Sequence, residues 1–492
     1  MAEHTEVVTE KEIRIKTKAK KEESKRANAL DALRGIAILL MILSGSIPFG
    51  NSLPAWMYHA QVPPPNHIFN PNLPGITWVD LVFPFFLFAM GAAFPLALRK
   101  KLANGISVRT IVREITVRGL LLAGFAIFIQ HVKPFVLNGE PGTFDWLTGI
   151  AGFIILFPIL LRISGNVKPY IRWGIKAAGI LAAVFLLCIL RYPNGTGFLL
   201  TRSDIIIVVL ANVAFFGSLL WLITKDNLLL RIGIMGILIA IRLTQNVDGS
   251  WNNWLWNYSP FPWLYKLYYL QYLFIIIPGT ILGDQIYKWM NESKTISNKV
   301  ASLPPSFMHV LGFLMLVIPV INVVGLFSRQ IIATLIADTL FISAGYMIFS
   351  KSSAEYEKLL KSMFSWGVYW LILGLFFEAY EGGIKKDHPT MSYYFVTSGL
   401  AVFTYIGLSV LTDYFRKSRY LSILIENGQN PMIAYIAGSN FIMPVLALTS
   451  AGKLLAELLN TPWLGFIKGV IFTSLVALLT SFFTKKKLFW RT

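Results

Sequence analysis

The sequence predicts an all-α polytopic bundle of transmembrane helices, with about 11–14 spans and both termini in the cytoplasm. Three observations predict it. Of 492 residues, 55% are hydrophobic and only 14% charged, whereas a soluble chain carries about 25% charged residues. Apolar blocks near twenty residues recur along the whole chain, each able to cross a hydrocarbon core of about 30 Å as a helix that satisfies its own backbone. Basic residues gather in the short segments between these blocks, as the positive-inside bias requires.

Residues 1–28 are too polar for the apolar core of a secretory signal peptide, so they read as a disordered cytoplasmic tail and insertion begins with the first span. Residues 29–492 follow as one transmembrane domain. Spans are legible near 30–48, 78–98, 114–131, 147–163, 173–190, 204–223, 229–243, 268–287, 305–327, 330–350, 364–380, 392–412, 430–448 and 464–484. Adjacent short segments merge or separate freely on hydropathy alone, which leaves the count open by about two. No short repeat, heptad or soluble domain interrupts the series, so the spans and their loops carry the function.

The net charge of +19, from 44 Lys and Arg against 25 Asp and Glu, would make nucleic acid a candidate partner for a soluble protein. Here the basic residues sit in the N-terminal tail, in Arg99-Lys100-Lys101, from Arg109 to Arg118, from Arg416 to Arg419 and in Lys485-Lys486-Lys487. That is topology, and the partner is the bilayer rather than nucleic acid. Lys385 and Lys386 fall on the outer side, an exception surrounded by Glu378, Glu381 and Asp387. The single cysteine, Cys188, excludes an intramolecular disulfide and a multi-Cys metal site and reads as a packing residue. The aromatic stretch from Trp251 to Tyr272 reads as an interfacial belt, although such side chains also stack on sugar faces.

One loop breaks the pattern. Residues 50–77 hold no Lys, Arg, Asp or Glu but two of the chain's six histidines. Their prolines and asparagines exclude a regular helix and favour a fixed irregular path. His59 and His67 are either packed loop residues or, since imidazole exchanges a proton near neutrality, acid-base candidates. Asp80 then opens the next span. It suits a capping role at the positive end of the helix dipole, and equally the orientation of a histidine. At the other end of the first span Asp31 and Arg34 are spaced i, i+3, close enough to pair.

Taken together, Asp31-Ala32-Leu33-Arg34-Gly35-Ile36-Ala37, the His59-Ala60 loop and the run Gly75-Ile76-Thr77-Trp78-Val79-Asp80-Leu81-Val82-Phe83-Pro84 resemble the opening of the heparan-alpha-glucosaminide N-acetyltransferase family and its bacterial relatives. Ser392 to Leu400 is similar to that family's late Ser-Tyr span, and Gly428 to Tyr435 to its Gly-x-Asn segment. The resemblance implies a transmembrane acyltransferase moving acetyl from cytosolic acetyl-CoA, as co-substrate, to the amine of a terminal glucosamine-type sugar on the outer side. It implies His59 as the catalytic residue, with His67 as the alternative because this loop is longer than the family's; from its own place beside that loop, Asp80 would orient the ring. Where the family carries an Asn after the Arg-Gly-Ile-Ala stretch, this chain has Ser44-Gly45-Ser46, so a hydroxyl of Ser44 or Ser46, or another donor, would hold the acetyl group. The nucleotide phosphates would dock on Arg34, Arg113 and Arg118 beside Asp31 at the cytoplasmic mouth. Asn427 and Asn430 would bond pantetheine or sugar, or else cap a helix. A homodimer in a bacterial cytoplasmic membrane completes the expectation, and no metal is required.

Two other classes stand beside this one. A permease would bind and pass a solute at Pro- and Gly-broken spans, and its mark would be two related halves, which the sequence lacks. A silent homologue would bind glycan or CoA without chemistry.

Overall fold

The computed structural model describes residues 27–50, 53–162, 167–292 and 303–492. The expected tail falls almost wholly on residues 1–26, outside the described residues. All fourteen expected spans form helices, and eleven helices among the described residues are long and apolar enough to cross a bilayer. The protein is therefore an integral membrane protein built as an all-α polytopic bundle. Two of the other three, α1 (Asn28–Ser44) and α7 (Leu228–Thr244), have 17 residues each, about 26 Å of rise and so slightly short of the hydrocarbon thickness. The third, α3 (Val108–His131), begins with the charged run that contains Arg109, Arg113 and Arg118.

The remaining long elements are α2 (Trp78–Ala103), α4 (Thr143–Leu160), α5 (Pro169–Ile189), α6 (Ile205–Thr224), α8 (Leu273–Glu292), α9 (Pro305–Phe327), α10 (Ile331–Ser350), α11 (Glu355–Phe376) and α12 (Met391–Ser409). A short α13 (Ser422–Gln429) is followed by α14 (Pro431–Ala437), which runs on through a wider turn and Met443–Leu448, and α15 (Pro462–Lys485) closes the series. α12 is the axis of the molecule, with all 19 of its residues buried. It is packed by α11, α9, α1, α2 and α8. α5 and α10 lie at the periphery. Cys188, expected to pack, is instead exposed on α5, because that helix turns most of its length outward.

Lipid tails are as apolar as leucine, so burial alone does not bring these helices together, and close van der Waals approach must. Small residues make that approach. A Cβ at Gly91 would stand 2.5 Å from the Ile276 carbonyl oxygen, and Cβ atoms at Gly279 and Gly283 would overlap the Phe88 and Ala92 carbonyls, so α2 and α8 meet backbone to backbone. α1 and α13 do the same: a Cβ at Gly35 would overlap the Leu424 carbonyl and one at Gly428 the Asp31 carbonyl. The tight α1–α2–α13 arrangement sets the positions of Asp31 and Arg34.

The start of α2 is fixed by its own sequence. Thr77 is the N-cap and Asp80 the third residue of a capping box, each side chain serving the other's backbone N–H region. Pro84 has no N–H, so the Asp80 carbonyl loses its ordinary helical donor. The Tyr393 hydroxyl of α12 donates to it instead at 2.9 Å. A helix break written into one span is thus answered by a hydroxyl from the buried axis.

Candidate active site

The loop from α1 to α2 is held by its own polar side chains. Gln61, fully buried, donates from Nε2 to the carbonyls of Leu73 at 2.9 Å and Gly75 at 3.1 Å. The Thr77 hydroxyl donates to the Tyr58 carbonyl at 2.6 Å. Tyr58 donates in turn to the Pro48 carbonyl at 2.7 Å, and burial pushes its phenol above the ordinary value, so it stays a neutral donor. These bonds carry His59 over the N-terminus of α2.

There His59 Nδ1 lies 2.6 Å from Asp80 Oδ1. The other carboxylate oxygen of Asp80 accepts from the backbone N–H of Thr77 at 2.8 Å and of Ala60 at 3.2 Å. Asp80 thus does both things the sequence allowed: it caps the helix with one oxygen and holds the histidine with the other. An ionised carboxylate only accepts, so Nδ1 carries the ring proton and the Nε2 lone pair is left for chemistry. Asp80 has no exposure, while the His59 side chain is 36% exposed, so the buried acid orients a ring that reaches the surface.

A third group completes the cluster. Lys386, from the loop between α11 and α12, places Nζ 3.1 Å from Nδ1 and 3.3 Å from Nε2 of His59. The in-plane directions of the two ring nitrogens diverge, so an atom nearly equidistant from both stands over the face of the ring.

His67, the alternative candidate, lies elsewhere. Its ring is wedged edge-on against Phe49 and Tyr58, with centroids 4.8 and 4.5 Å away. Nε2 accepts from the Gly50 N–H at 3.1 Å and Nδ1 faces the Val62 carbonyl at 3.3 Å. Both nitrogens are used in closing the loop, and the backbone there is left-handed, with φ +49.

At the other end of α1 and α2 a cavity of about 410 Å³ opens among α1, α2, α3, α6 and α14. Asp31, Arg34, Arg118 and Arg491 give it a charged end, while Met41 and Phe86 line the apolar end towards the histidine cluster. Arg34 donates to Asp31 Oδ1 at 3.4 Å, the Gly428 carbonyl at 3.1 Å and the Ala89 carbonyl at 3.3 Å. Along α2 the cavity lining extends from Ala97 to Phe86, about 17 Å of helix, and Asp80 lies about 9 Å beyond Phe86 along the helix. The arginine cavity and the histidine cluster therefore share one pair of helices and approach each other end on.

The other expected binding residues are used differently. Arg113 is exposed on α3 and off the cavity wall, because five residues of helix separate it from Arg118 and turn it to another face. The hydroxyls of Ser44 and Ser46 donate to the Met41 carbonyl at 2.8 Å and the Ile42 carbonyl at 2.7 Å, back onto their own helix. The Asn427 amide donates to the Ile423 and Ala477 carbonyls at 2.8 and 3.1 Å, tying α13 to α15. Asn430 donates to the Leu488 carbonyl at 2.8 Å and accepts from the Trp490 N–H at 3.2 Å. That pair folds the segment carrying Arg491 against the cavity.

Lys386 and Arg491 are the residues that sequence reading did not select. Lys386 had left a trace as the basic residue on the wrong side of the positive-inside pattern, and Arg491 had none beyond being basic. No curated protein matches the sequence. Residues 26–286, more than half of the chain and including His59, Asp80, Arg34 and Arg118, match the family described as a domain of unknown function (DUF5009), and the chain belongs to that family.

Proposed function

We propose that the protein is a transmembrane acyltransferase, taking an acetyl group from acetyl-CoA at the arginine cavity and delivering it beside His59 to the amine of a glucosamine-type acceptor. The observation that carries the reading is the His59–Asp80 pair at 2.6 Å, a buried acid fixing the tautomer of a surface-reaching ring. An amine attacks a thioester only when unprotonated, and the Nε2 lone pair is a base within reach of such an amine. The same lone pair is also a nucleophile able to carry the acetyl group for one step. The cavity supports the donor side. Its guanidinium groups suit phosphates, and its apolar end points an extended arm towards the cluster.

In this reading the arginine end faces the cytoplasm together with both termini, the membrane is the bacterial cytoplasmic membrane, and the acting form is a homodimer. The aromatic groups on the histidine side supply the acceptor surface: Arg242 lies 6.0 Å from the Trp256 ring centroid and bonds Gln271 and Glu381. The test is acetyl-CoA-dependent acetylation of a panel of free-amine sugars by the detergent-purified protein, read by mass spectrometry for wild type, His59→Ala and His67→Ala. A glucosamine product that disappears only in His59→Ala supports the reading. A wild type that neither binds acetyl-CoA nor modifies any amine overturns it.

A further inference from the structure

We propose that Lys386 is the electrostatic partner of His59, its ammonium receiving the negative charge that develops on a carbonyl oxygen when an acyl group is attacked beside the ring. The inference rests on the acyl-transfer reading and names the group in that site that stabilises the transition state. Three observations carry it.

The first is position. Nζ stands over the ring face, 3.1 and 3.3 Å from the two nitrogens. A carbonyl approached along the Nε2 lone pair has its oxygen roughly perpendicular to the line of attack, which includes the side of the ring where the ammonium stands. An oxyanion formed there meets a cation already in place, which is where preorganised charge acts most strongly.

The second is that the lysine is held rather than free. Its loop is fixed near its start by two ion pairs, Arg329 with Glu378 at 2.5 Å and Arg242 with Glu381 at 2.9 Å, and Arg242 also donates to the Pro389 carbonyl at 3.1 Å near the loop's other end. Glu378 accepts from the Ile384 N–H at 3.3 Å and Glu381 from the Met391 N–H at 2.8 Å, so each carboxylate also sets the loop's backbone. The loop is joined to the histidine loop through the Gly75 N–H and the Ile384 carbonyl at 2.7 Å. Gly383, at φ +92, lets the two loops touch, since a Cβ there would stand 2.8 Å from the Pro74 side chain.

The third is exposure. A lysine paired only for solubility extends into water. The Lys386 side chain is 20% exposed, less than half the 43% of its neighbour Asp387, which it meets at 3.6 Å. The ammonium is turned inward to the ring.

The electron balance is the same in either order of transfer. With acetyl-histidine formation, the Nε2 lone pair adds to the thioester carbonyl carbon and the C=O pair moves to oxygen. Collapse re-forms the carbonyl and expels the thiolate, and the amine then displaces the imidazole and loses its proton. In direct transfer the amine nitrogen adds, Nε2 takes its proton, and the thiolate leaves. Direct transfer passes through one tetrahedral oxyanion beside the ring, and the two-step route through two, one when the thiolate leaves and one when the imidazole leaves.

The experiment compares wild type, Lys386→Met and Lys386→Arg, with folding checked by thermal melting, in two assays. In acetyl transfer, Lys386→Met is expected to lower kcat about 100-fold with KM for acetyl-CoA nearly unchanged, and Lys386→Arg to recover part of the loss. The second assay needs no natural substrate: His59 is acylated by diethyl pyrocarbonate at pH 8.5, where imidazoles are in general unprotonated, and followed by peptide mass spectrometry. Wild type and Lys386→Arg are expected to react at least about tenfold faster than Lys386→Met, because that carbonyl passes through the same oxyanion. Equal acylation rates in folded Lys386→Met and wild type overturn the inference, whether or not acetyl transfer occurs. A preserved gap in a wild type that transfers no acetyl group upholds the electrostatic role and rejects the acetyltransferase reading instead.

Discussion

Replacing Asp80 by asparagine changes a single atom and tests the dyad through its tautomer. The carboxylate makes a 2.6 Å contact to His59 through Oδ1, while Oδ2 accepts from the N–H groups of Thr77 at 2.8 Å and Ala60 at 3.2 Å. An asparagine has one acceptor oxygen and one NH2. Two backbone donors demand the oxygen on the capping side, so the NH2 turns to His59, donates to Nδ1 and drives the ring proton to Nε2. The lone pair that does the chemistry is then gone. Inverting a catalytic histidine's tautomer by this change lowers kcat by about 10⁴-fold in a serine protease triad, and a loss of about 10³- to 10⁴-fold is expected here. Stability should fall by only about 1–2 kcal/mol, since the cap survives. The assay is acetylation of glucosamine under saturating acetyl-CoA, paired with thermal melting. A folded Asp80→Asn protein that keeps more than about a tenth of wild-type kcat would refute the tautomer argument.

Other substitutions separate the parts of the site. Arg34→Gln and Arg118→Gln should each raise KM for acetyl-CoA about 10- to 100-fold, the worth of one charge-assisted bond, with kcat changed far less; steady-state kinetics check this. His67→Ala removes a loop clamp, so it should lower the melting temperature while kcat stays within about tenfold of wild type, in contrast to the near-complete loss in His59→Ala. Tyr393→Phe strips the donor from the Asp80 carbonyl beside Pro84 and should cost about 1–3 kcal/mol of stability in denaturant unfolding. Gly428→Leu drives a side chain into the Asp31 carbonyl and should prevent α13 from seating, read as loss of monodisperse protein on size-exclusion chromatography.

The bundle was legible because hydropathy is a property of each span alone. Every expected span is a helix, and errors fall at the ends: the first was expected to reach residue 48 but stops at Ser44, and the eleventh starts at Glu355 rather than 364. Which helix lies at the centre was not legible. Residues 392–412 read as one apolar block among many, yet α12 is buried on every side, because its neighbours carry the glycines that admit it.

For the site, the pairing of His59 with Asp80 was within reach of sequence because only 21 positions separate them across one irregular loop. Lys386 lies 327 positions from His59, and only the folding of two distant loops against each other brings it there. Its one sequence signal was a basic residue on the side that positive-inside topology leaves poor in them. Ser44, Ser46, Asn427 and Asn430 have the right chemistry in the right region, but their hydroxyl and amide N–H groups donate to backbone carbonyls. Sequence reports which donors exist, whereas a low-dielectric interior decides which of them are already committed.

The central claim is that acetyl crosses between the arginine cavity and the histidine cluster. The most direct measurement reconstitutes the protein in one orientation in sealed vesicles, supplies labelled acetyl-CoA on one side and glucosamine on the other, and measures labelled product in each compartment. The account predicts product only when donor meets the arginine end and acceptor the histidine end, and none in Asp80→Asn vesicles. Product formed with donor and acceptor both confined to one side would contradict it.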